Sequence, residues 1–331
     1  MNNILCCNVG RRGRLMIDFR TSLKGTGKVI ATDNWSIAPA LFLADKQYVV
    51  PQIDDENYIN VLLDICKREN IKAITTFIDP EIEVLAKNRD LFISNGILPL
   101  CPSAETAHLC FDKYAMFQYL SSKGIRTVLT YNSLETFNNG LKNSDISFPV
   151  FIKPISGSGS IGARQVENVE ELNNYWHGGR FNYIIQELMT EGDCDADVYV
   201  DCISHKPVAA FSKRKIETRI GGASKTVSFK DPKLFSFIEE VCSVLELYGP
   251  CDMDFFIKDG EYYLSEINPR FGGAYLHAYG AGVDFVKLII NNIAGIKNPS
   301  QIGQYSEDVL MLMYDDVVIT SVKDLLKDYH D

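Results

Sequence analysis

Residues 262–273 read YYLSEINPRFGG, and three polar side chains, Glu266, Asn268 and Arg270, take alternate places in an otherwise apolar, aromatic stretch. Alternate residues of a β-strand share a face, so a carboxylate, an amide and a guanidinium line up in one row. The preceding CDMDFFIKDG (251–260) supplies a second strand, joined around Lys258-Asp259-Gly260. Loop length decides which side chains meet. A two-residue Asp-Gly turn sets Glu266 beside Met253, Phe255 and Ile257. A three-residue loop, with Gly260 left-handed and forming a bulge, shifts the pairing by one. That second register is the expectation, because it gathers Asp254, Phe256, Leu264, Glu266 and Asn268 on one face. Met253, Phe255, Ile257, Tyr263, Ser265 and Ile267 then share the other. Two carboxylates and an amide make a hard-oxygen cluster suited to Mg²⁺, which leaves its other positions to phosphate and water. The plainer alternative is a carboxylate paired to Arg270, with Asn268 capping a turn.

Upstream, FIKPISGSGSIGARQV (151–166) contains a formal GxGxxG at Gly157, Gly159 and Gly162. It lies mid-chain and runs into a strand-like ARQV, so it fits neither a dinucleotide fingerprint nor a P-loop. A strand–glycine loop–strand is a flap, whose N–H groups can lie over phosphates because no side chain intervenes. Lys153 supplies a point charge just before it. The alternative is a flexible surface turn. Lys113 opens a helix in CFDKYAMFQYL, where a solvated lysine is the default. NYIIQELMTEGD (182–193) is an apolar strand whose Gln-Glu-Leu edge can offer backbone groups to an adenine, with Asp193 placed for ribose hydroxyls.

The 331 residues suffice for two or three domains. A net charge of −10 speaks against a general nucleic-acid or anionic-membrane binder. Nine cysteines without a CxxC pair or a zinc-like spacing read as reduced thiols of a cytoplasmic protein. The N-terminus lacks the h-region of a signal peptide, and no apolar run is long enough to span a membrane.

Strand and helix alternate over the first hundred residues: NILCCNV (2–8), a helix (14–23), KVIATD (28–33), a helix (58–70) and IKAITTF (71–77). That order predicts a parallel α/β sheet. A helix follows at 112–123. RTVLTY (126–131) and FPVFIKP (148–154) read as strands around a polar helical stretch, then come a helix near 169–176 and the strand 182–189. The remainder is mostly strands, interrupted by helices at 232–247 and near 284–294, which predicts an antiparallel α+β region. The stretch 301–331 is not placed.

Taken in order, Lys113, Lys153, the glycine flap, Gln186-Glu187-Leu188, Asp193, Asp254, Glu266, Asn268 and Arg270 resemble the ATP-grasp superfamily. The resemblance is closest to carboxylate–amine ligases like the large chain of carbamoyl phosphate synthetase, and it covers residues 1–300. EINPR is its most specific part, followed by FIKP and the flap. It implies α/β plus α+β architecture: a Rossmann-like pre-ATP-grasp domain (1–110), a small lobe with the flap (111–185), a large lobe with the metal site (186–300) and a tail (301–331). It implies that Lys113 and Lys153 contact ATP phosphates, and that Ser156, Gly157, Ser158, Gly159, Ser160 and Gly162 cover them. Gln186, Glu187 and Leu188 would meet the adenine and Asp193 the ribose. Asp254, Glu266 and Asn268 would bind one or two Mg²⁺, with Mn²⁺ the second candidate. Arg270, with Asn268, would stabilise phosphate and acyl phosphate. Family members often carry Glu where Asp193 stands, and Gln or Glu where Asp254 stands.

The implied chemistry is ligation: a carboxylate takes the γ-phosphoryl group of ATP, and an amine displaces phosphate. Amino-acid ligation is the expected use, with small-molecule carboxylate and amine partners and a homodimer as the default oligomer. The basic KRKIETRIGGASKT (213–226) is expected to be a mobile lid bringing Arg214, Arg219 or Lys225 to the substrate, or else a solvated hairpin loop. Gly10-Arg11-Arg12-Gly13 ends the first strand, where open α/β sheets bind ligands; its arginines take an acidic group or cover the helix start. Phe77-Ile78-Asp79-Pro80-Glu81 ends another strand there and is expected to contact the amine. His277 lines the cleft or is a satisfied polar residue. The competing reading is a nucleotide-binding regulatory or structural subunit without the chemistry. A dinucleotide oxidoreductase is disfavoured, because no GxGxxG follows the first strand.

Overall fold

The computed structural model describes residues 1–157, 161–178, 182–219 and 222–325. β1 (Asn3–Cys7), β2 (Val29–Asp33), β3 (Lys46–Val49), β4 (Ile71–Thr76) and β5 (Leu98–Pro99) form a parallel sheet in the order β3-β2-β1-β4-β5. Its central strands are short apolar runs buried along their length, as a sheet covered on both faces requires. α1 (Gly13–Leu23) packs through Leu15, Met16 and Phe19 into one core, and α2 (Tyr58–Arg68) and α3 (Asp79–Lys87) into another. α4 (Arg89–Ser94) follows. The strand expected to run to Phe77 stops at Thr76, and Asp79, Pro80 and Glu81 already belong to α3, because Pro80 suits the first turn of a helix.

α5 (Ala104–Phe111) leads into α6 (Lys113–Ser122), whose N-cap is Asp112: Oδ1 accepts from the N–H groups of Tyr114 and Ala115 at 2.9 Å. A second sheet, β6 (Thr130–Tyr131), β7 (Val150–Pro154), β8 (Arg164–Val166) and β9 (Tyr183–Glu187), runs antiparallel in the order β6-β9-β7-β8. With α7 (Leu134–Asn143) and α8 (Val169–Gly178) it encloses its own core, including Phe137, Ile152 and Leu172. The strand expected over 126–131 shrinks to two residues. Thr127 instead bridges to Leu264 and the Arg126 carbonyl accepts from Leu264 N–H, so this chain ties two sheets together.

The third sheet is antiparallel: β10 (Asp193–Val200), β11 (Pro207–Arg219), β12 (Gly222–Phe229), β13 (Gly249–Lys258), β14 (Glu261–Asn268) and β15 (Leu310–Leu312), ordered β14-β13-β10-β11-β12-β15. Stretch 301–331 thus contributes an edge strand. α9 (Pro232–Ser243) covers one face together with Met116 and Leu120 of α6. The helix expected to reach residue 247 stops at Ser243. α10 (Tyr275–Gly280) and α11 (Phe285–Ile293) share a core with α1. Phe271, 1% exposed, sits in that core with its ring centroid 5.0 Å from Phe19 and 4.9 Å from Tyr275. The first and third sheets therefore share a hydrophobic core, and the second sheet has one of its own.

The 251–268 hairpin corrects the expected register in an instructive way. Asp259 and Gly260 both have positive φ, at 53° and 71°, so the turn has two residues, not three. Phe255 faces Leu264, yet Asp254 faces Glu266 and Asp252 faces Asn268, with the register shift between them. The extra residue is Ser265, a β-bulge five positions beyond the expected one at Gly260. Asp254, Glu266 and Asn268 share a face as expected; Leu264 moves to the core face and Tyr263 away from it.

Candidate active site

The face of the third sheet opposite α9 carries rows of charge. Cross-strand pairs Asp254–Glu266, Asp195–Asp254 and Asp195–Lys213 put Glu266, Asp254, Asp195 and Lys213 in one row across four strands. Asn268, Asp252 and Asp197 form the next. Asp195, Asp197, Lys213, Lys215 and Asp252 were not read from the sequence as site residues. The signal was present: DCDADV alternates acids and SKRK alternates lysines, with the same period of two as EINPR.

Lys213 is fully buried, with Nζ 2.6 Å from Asp197 Oδ2 and 3.6 Å from Asp195 Oδ2. Burial raises both carboxyl groups above their usual range and Lys213 opposes that rise. Lys215 Nζ lies 2.7 Å from Asp254 Oδ1 and 3.2 Å from Asp193 Oδ2, so one ammonium joins the expected ribose and metal positions. Arg214, between these lysines, is on the opposite face: its guanidinium stacks 4.2 Å from the Phe229 ring centroid. Strand alternation puts it there and corrects its assignment to the site. Arg219 pairs with Asp315 at 2.9 Å and Lys225 with Glu217 at 2.7 Å, so neither contacts this cluster. The expected lid is mostly strand, since β11 runs to Arg219 and β12 resumes at Gly222.

Lys113 Nζ donates to the Gly157 carbonyl at 2.6 Å and lies 3.6 Å from Glu266 Oε1. Burial pushes the Lys153 ammonium down while Glu266 pulls it up, with Lys113 and Asp254 as further charges acting on it. Burial also raises Glu266, and Lys113 and Lys153 oppose this. The root of the flap is pinned: the Ile155 carbonyl accepts from Lys113 N–H at 3.0 Å, and Ile155 N–H donates to Asn182 at 2.8 Å. Ser156 is half-buried there, and Gly157 and Gly162 have φ of 103° and 79°, which favour glycine. Ser158, Gly159 and Ser160 lie outside the described residues.

At the far end of β9, Gln186 is buried and donates to Thr130 Oγ1 at 2.8 Å, so its side chain is structural. Glu187 accepts from Leu129 N–H at 3.2 Å and from Lys258 at 2.7 Å. A pocket beside this junction is lined by Glu187, Leu188, Thr190, Lys258 and the loop 144–149.

Arg270, 9% exposed, donates from Nε to Asp79 Oδ1 at 2.9 Å, and from Nη1 to Asp252 Oδ2 at 3.0 Å and to the Phe271 carbonyl at 3.2 Å. Its carboxylate partners are therefore Asp79 and Asp252, not Glu266. Asp79, expected to meet an amine, is bound to this arginine. Glu81, two residues on, is buried and accepts from Asn8 at 2.6 Å, from Thr76 at 2.5 Å and from Tyr58, which fixes the first turn of α3, where Asp79 sits. Arg12 donates from Nη1 to the Gly272 carbonyl at 2.8 Å. His277 is buried, its Nδ1 2.7 Å from Thr226 Oγ1; burial, and then Lys213, push it down to about 4.

Among the described residues, no three acidic, histidine or cysteine side chains are spaced to hold a cation unaided. Asp254 and Glu266 instead lie against Lys215 and Lys113. Two carboxylates and an amide suit a cation that arrives with phosphates and keeps most of its ligands from them, as Mg²⁺ does.

Residues 4–100 match the model of the PylC-like N-terminal domain, and residues 110–274 that of the ATP-grasp domain. The chain belongs to the ATP-grasp family, with a PylC-like domain ahead of the ATP-grasp domain. It is 27% identical over 263 residues to the formate-dependent phosphoribosylglycinamide formyltransferase of Psychromonas ingrahamii, covering 73% of this chain and 62% of that one. The Prochlorococcus marinus enzyme of the same name is 29% identical over 268 residues, covering 73% and 64%. The matched region thus spans under two thirds of these relatives. In fold the chain is similar to the biotin carboxylase domain of Hydrogenobacter thermophilus 2-oxoglutarate carboxylase (TM-score 0.73, 19% identity, 93% of this chain and 73% of that one). It is also similar to Staphylococcus aureus N5-carboxyaminoimidazole synthetase (TM-score 0.72, 16% identity, 90% and 79%).

Proposed function

We propose that this protein is an ATP-dependent ligase that activates a carboxylate as an acyl phosphate and joins it to an amine, releasing ADP and phosphate. One observation carries the reading: Asp254 and Glu266 face each other across β13 and β14, with Lys113 beside Glu266 and Lys153 within reach of its charge. Two carboxylates among lysines are a balanced receptor for a metal–triphosphate, which brings both signs of charge. Asp254, Glu266 and Asn268 would hold Mg²⁺, or Mn²⁺ as the second candidate, whose charge offsets that building on the transferring phosphoryl oxygens.

Lys113 and Lys153 bind phosphate, the flap 156–162 excludes water above it, the backbone at Glu187 and Leu188 meets adenine, and Asp193 meets ribose. Arg270, fixed by Asp79 and Asp252, turns its remaining edge to the phosphoryl group. An oxygen of the acid forms a bond to the γ-phosphorus as the bond to the β–γ bridging oxygen breaks, and ADP leaves. The amine then bonds to the acyl carbon, loses a proton, and phosphate departs with the electron pair of the broken C–O bond. The relatives' name, formate-dependent phosphoribosylglycinamide formyltransferase, likewise couples an acid with an amine-bearing compound, which supports the reading. Amino-acid ligation, a homodimer and a cytoplasmic setting belong to the same proposal; nine free thiols support the last.

Glu266→Gln is expected to lower turnover at least about a hundredfold while the protein stays folded. Acid–amine pairs are screened for ADP release with mass detection of the product. ATP bound but never consumed across such a screen would favour a nucleotide-binding subunit instead, and wild-type rates in Glu266→Gln would remove that residue from the mechanism.

A further inference from the structure

Arg12 is the point where the first sheet reaches the charged face of the third. It leaves the loop after β1 and donates to the Gly272 carbonyl, while Arg270 donates to the carbonyl of Phe271, the residue before. Two guanidiniums thus straddle consecutive carbonyls. Arg270 is neutralised by Asp79 and Asp252; Arg12 has no carboxylate of its own within 4 Å among the described residues. Among the same residues no hydrogen bond reaches Nε or Nη2 of Arg12, or Nη2 of Arg270. Burial, and then the like charge of Arg270, pull the Arg12 guanidinium down to about 10. Its neighbour Arg11 turns outward, 3.9 Å from Asp315 and 81% exposed. The GRRG loop therefore separates its two arginines: one to solvent, one into the seam.

Two adjacent cations with unused donors are disfavoured unless an anion joins them, and a guanidinium fork matches the paired oxygens of a carboxyl group. We propose that Arg12 is a specificity-determining residue: with Nη2 of Arg270 it grips the acid substrate's carboxyl oxygens as these become an acyl phosphate. The domain ahead of the ATP-grasp domain then selects the acid. This rests on the ligase reading above and deepens it.

Acetyl phosphate is the probe, titrated into protein loaded with MgADP. Binding is followed by the shift in melting temperature and chemistry by ATP formed, in which a β-phosphate oxygen of ADP bonds to the phosphorus and acetate leaves with the electrons of the broken P–O bond. Wild type is expected to bind the probe and make ATP. Arg12→Ala is expected to weaken acetyl phosphate at least about tenfold, the loss of a charge-assisted contact, with ADP affinity unchanged within about twofold. Arg12→Lys keeps the charge without the fork and is expected to recover part of the loss, and it serves if the alanine variant does not fold. Arg11→Ala is expected to match wild type. Equal acetyl phosphate affinity in wild type and Arg12→Ala, or no binding by wild type, overturns the proposal. Binding that depends on Arg12 without ATP formation overturns the ligase reading and leaves the anion site standing.

Discussion

Gly272 has no space for a side chain: a Cβ there would lie 2.7 Å from Asp197 Oδ1 and 2.9 Å from Asp252 Oδ1. The second half of INPRFGG is thus backbone laid directly on two carboxylates, while the side chains before it, Arg270 and Phe271, anchor in the seam and the core. His277, just after this turn, is neutral inside because burial and Lys213 disfavour its charged form, lowering it from 6.5 to about 4. A depressed base contributes stability that is present above pH 6.5 and lost as pH falls toward about 4, since only the unfolded chain takes the proton in that window. Asp195 and Asp197, raised by burial, act in the opposite sense, so the test is a difference between two proteins. Wild type minus His277→Gln is expected to lose about 1.4 kcal/mol per pH unit between pH 6.5 and about 4, read from urea unfolding. A pH-independent difference would show that His277 is not neutral in the fold.

At the level of elements, the site depends on one unpaired residue. Without the Ser265 bulge, the two-residue turn would carry Glu266 to the core side, among Met253, Phe255 and Ile257. Deleting Ser265 removes the extra residue itself, so Leu264 stays opposite Phe255, Glu266 stays opposite Asp254 in a regular ladder, and MgATP binding is expected to persist; circular dichroism and nucleotide titration check this. Loss of binding with the hairpin still folded would mean that the cross-strand register alone does not place the carboxylates. That Asp254, Glu266 and Asn268 share a face was legible, because sorting acids from apolar residues works wherever the bulge falls. The bulge position was not, since Gly260 and Ser265 resolve the same conflict and the Arg126 carbonyl that accepts from Leu264 N–H lies far away in sequence. Arg214 was misplaced for a related reason. A basic, glycine-containing run looks like a loop until its alternation, Lys213 and Lys215 inward with Arg214 outward, is referred to a partner strand.

Across the whole molecule, the charged face is closed by residues from both ends of the chain. Asp79 on α3 holds Arg270, and Arg12 holds Gly272, over a common core in which Phe19 and Phe271 meet edge to face. Removing one partner of a buried ion pair leaves the other charge in low dielectric, so Asp79→Asn is expected to cost about 3 kcal/mol in urea unfolding. Asp315→Asn, on a pair more than half exposed, is expected to cost under about 1 kcal/mol. Equal effects would mean that Asp79 is no more than a surface contact. The sequence by itself determined the parallel first sheet, the glycine-rich link between the paired strands β7 and β8, and the carboxylate–amide row, because each depends on local periodicity and residue chemistry. Only the tertiary structure decided that Asp79 and Arg12 reach Arg270 and Gly272, that Lys213 and Lys215 neutralise the acids of β10 and β13, and that a bulge sets the register. Those choices follow from which buried charges find partners, and the partners lie up to 260 residues apart in the chain.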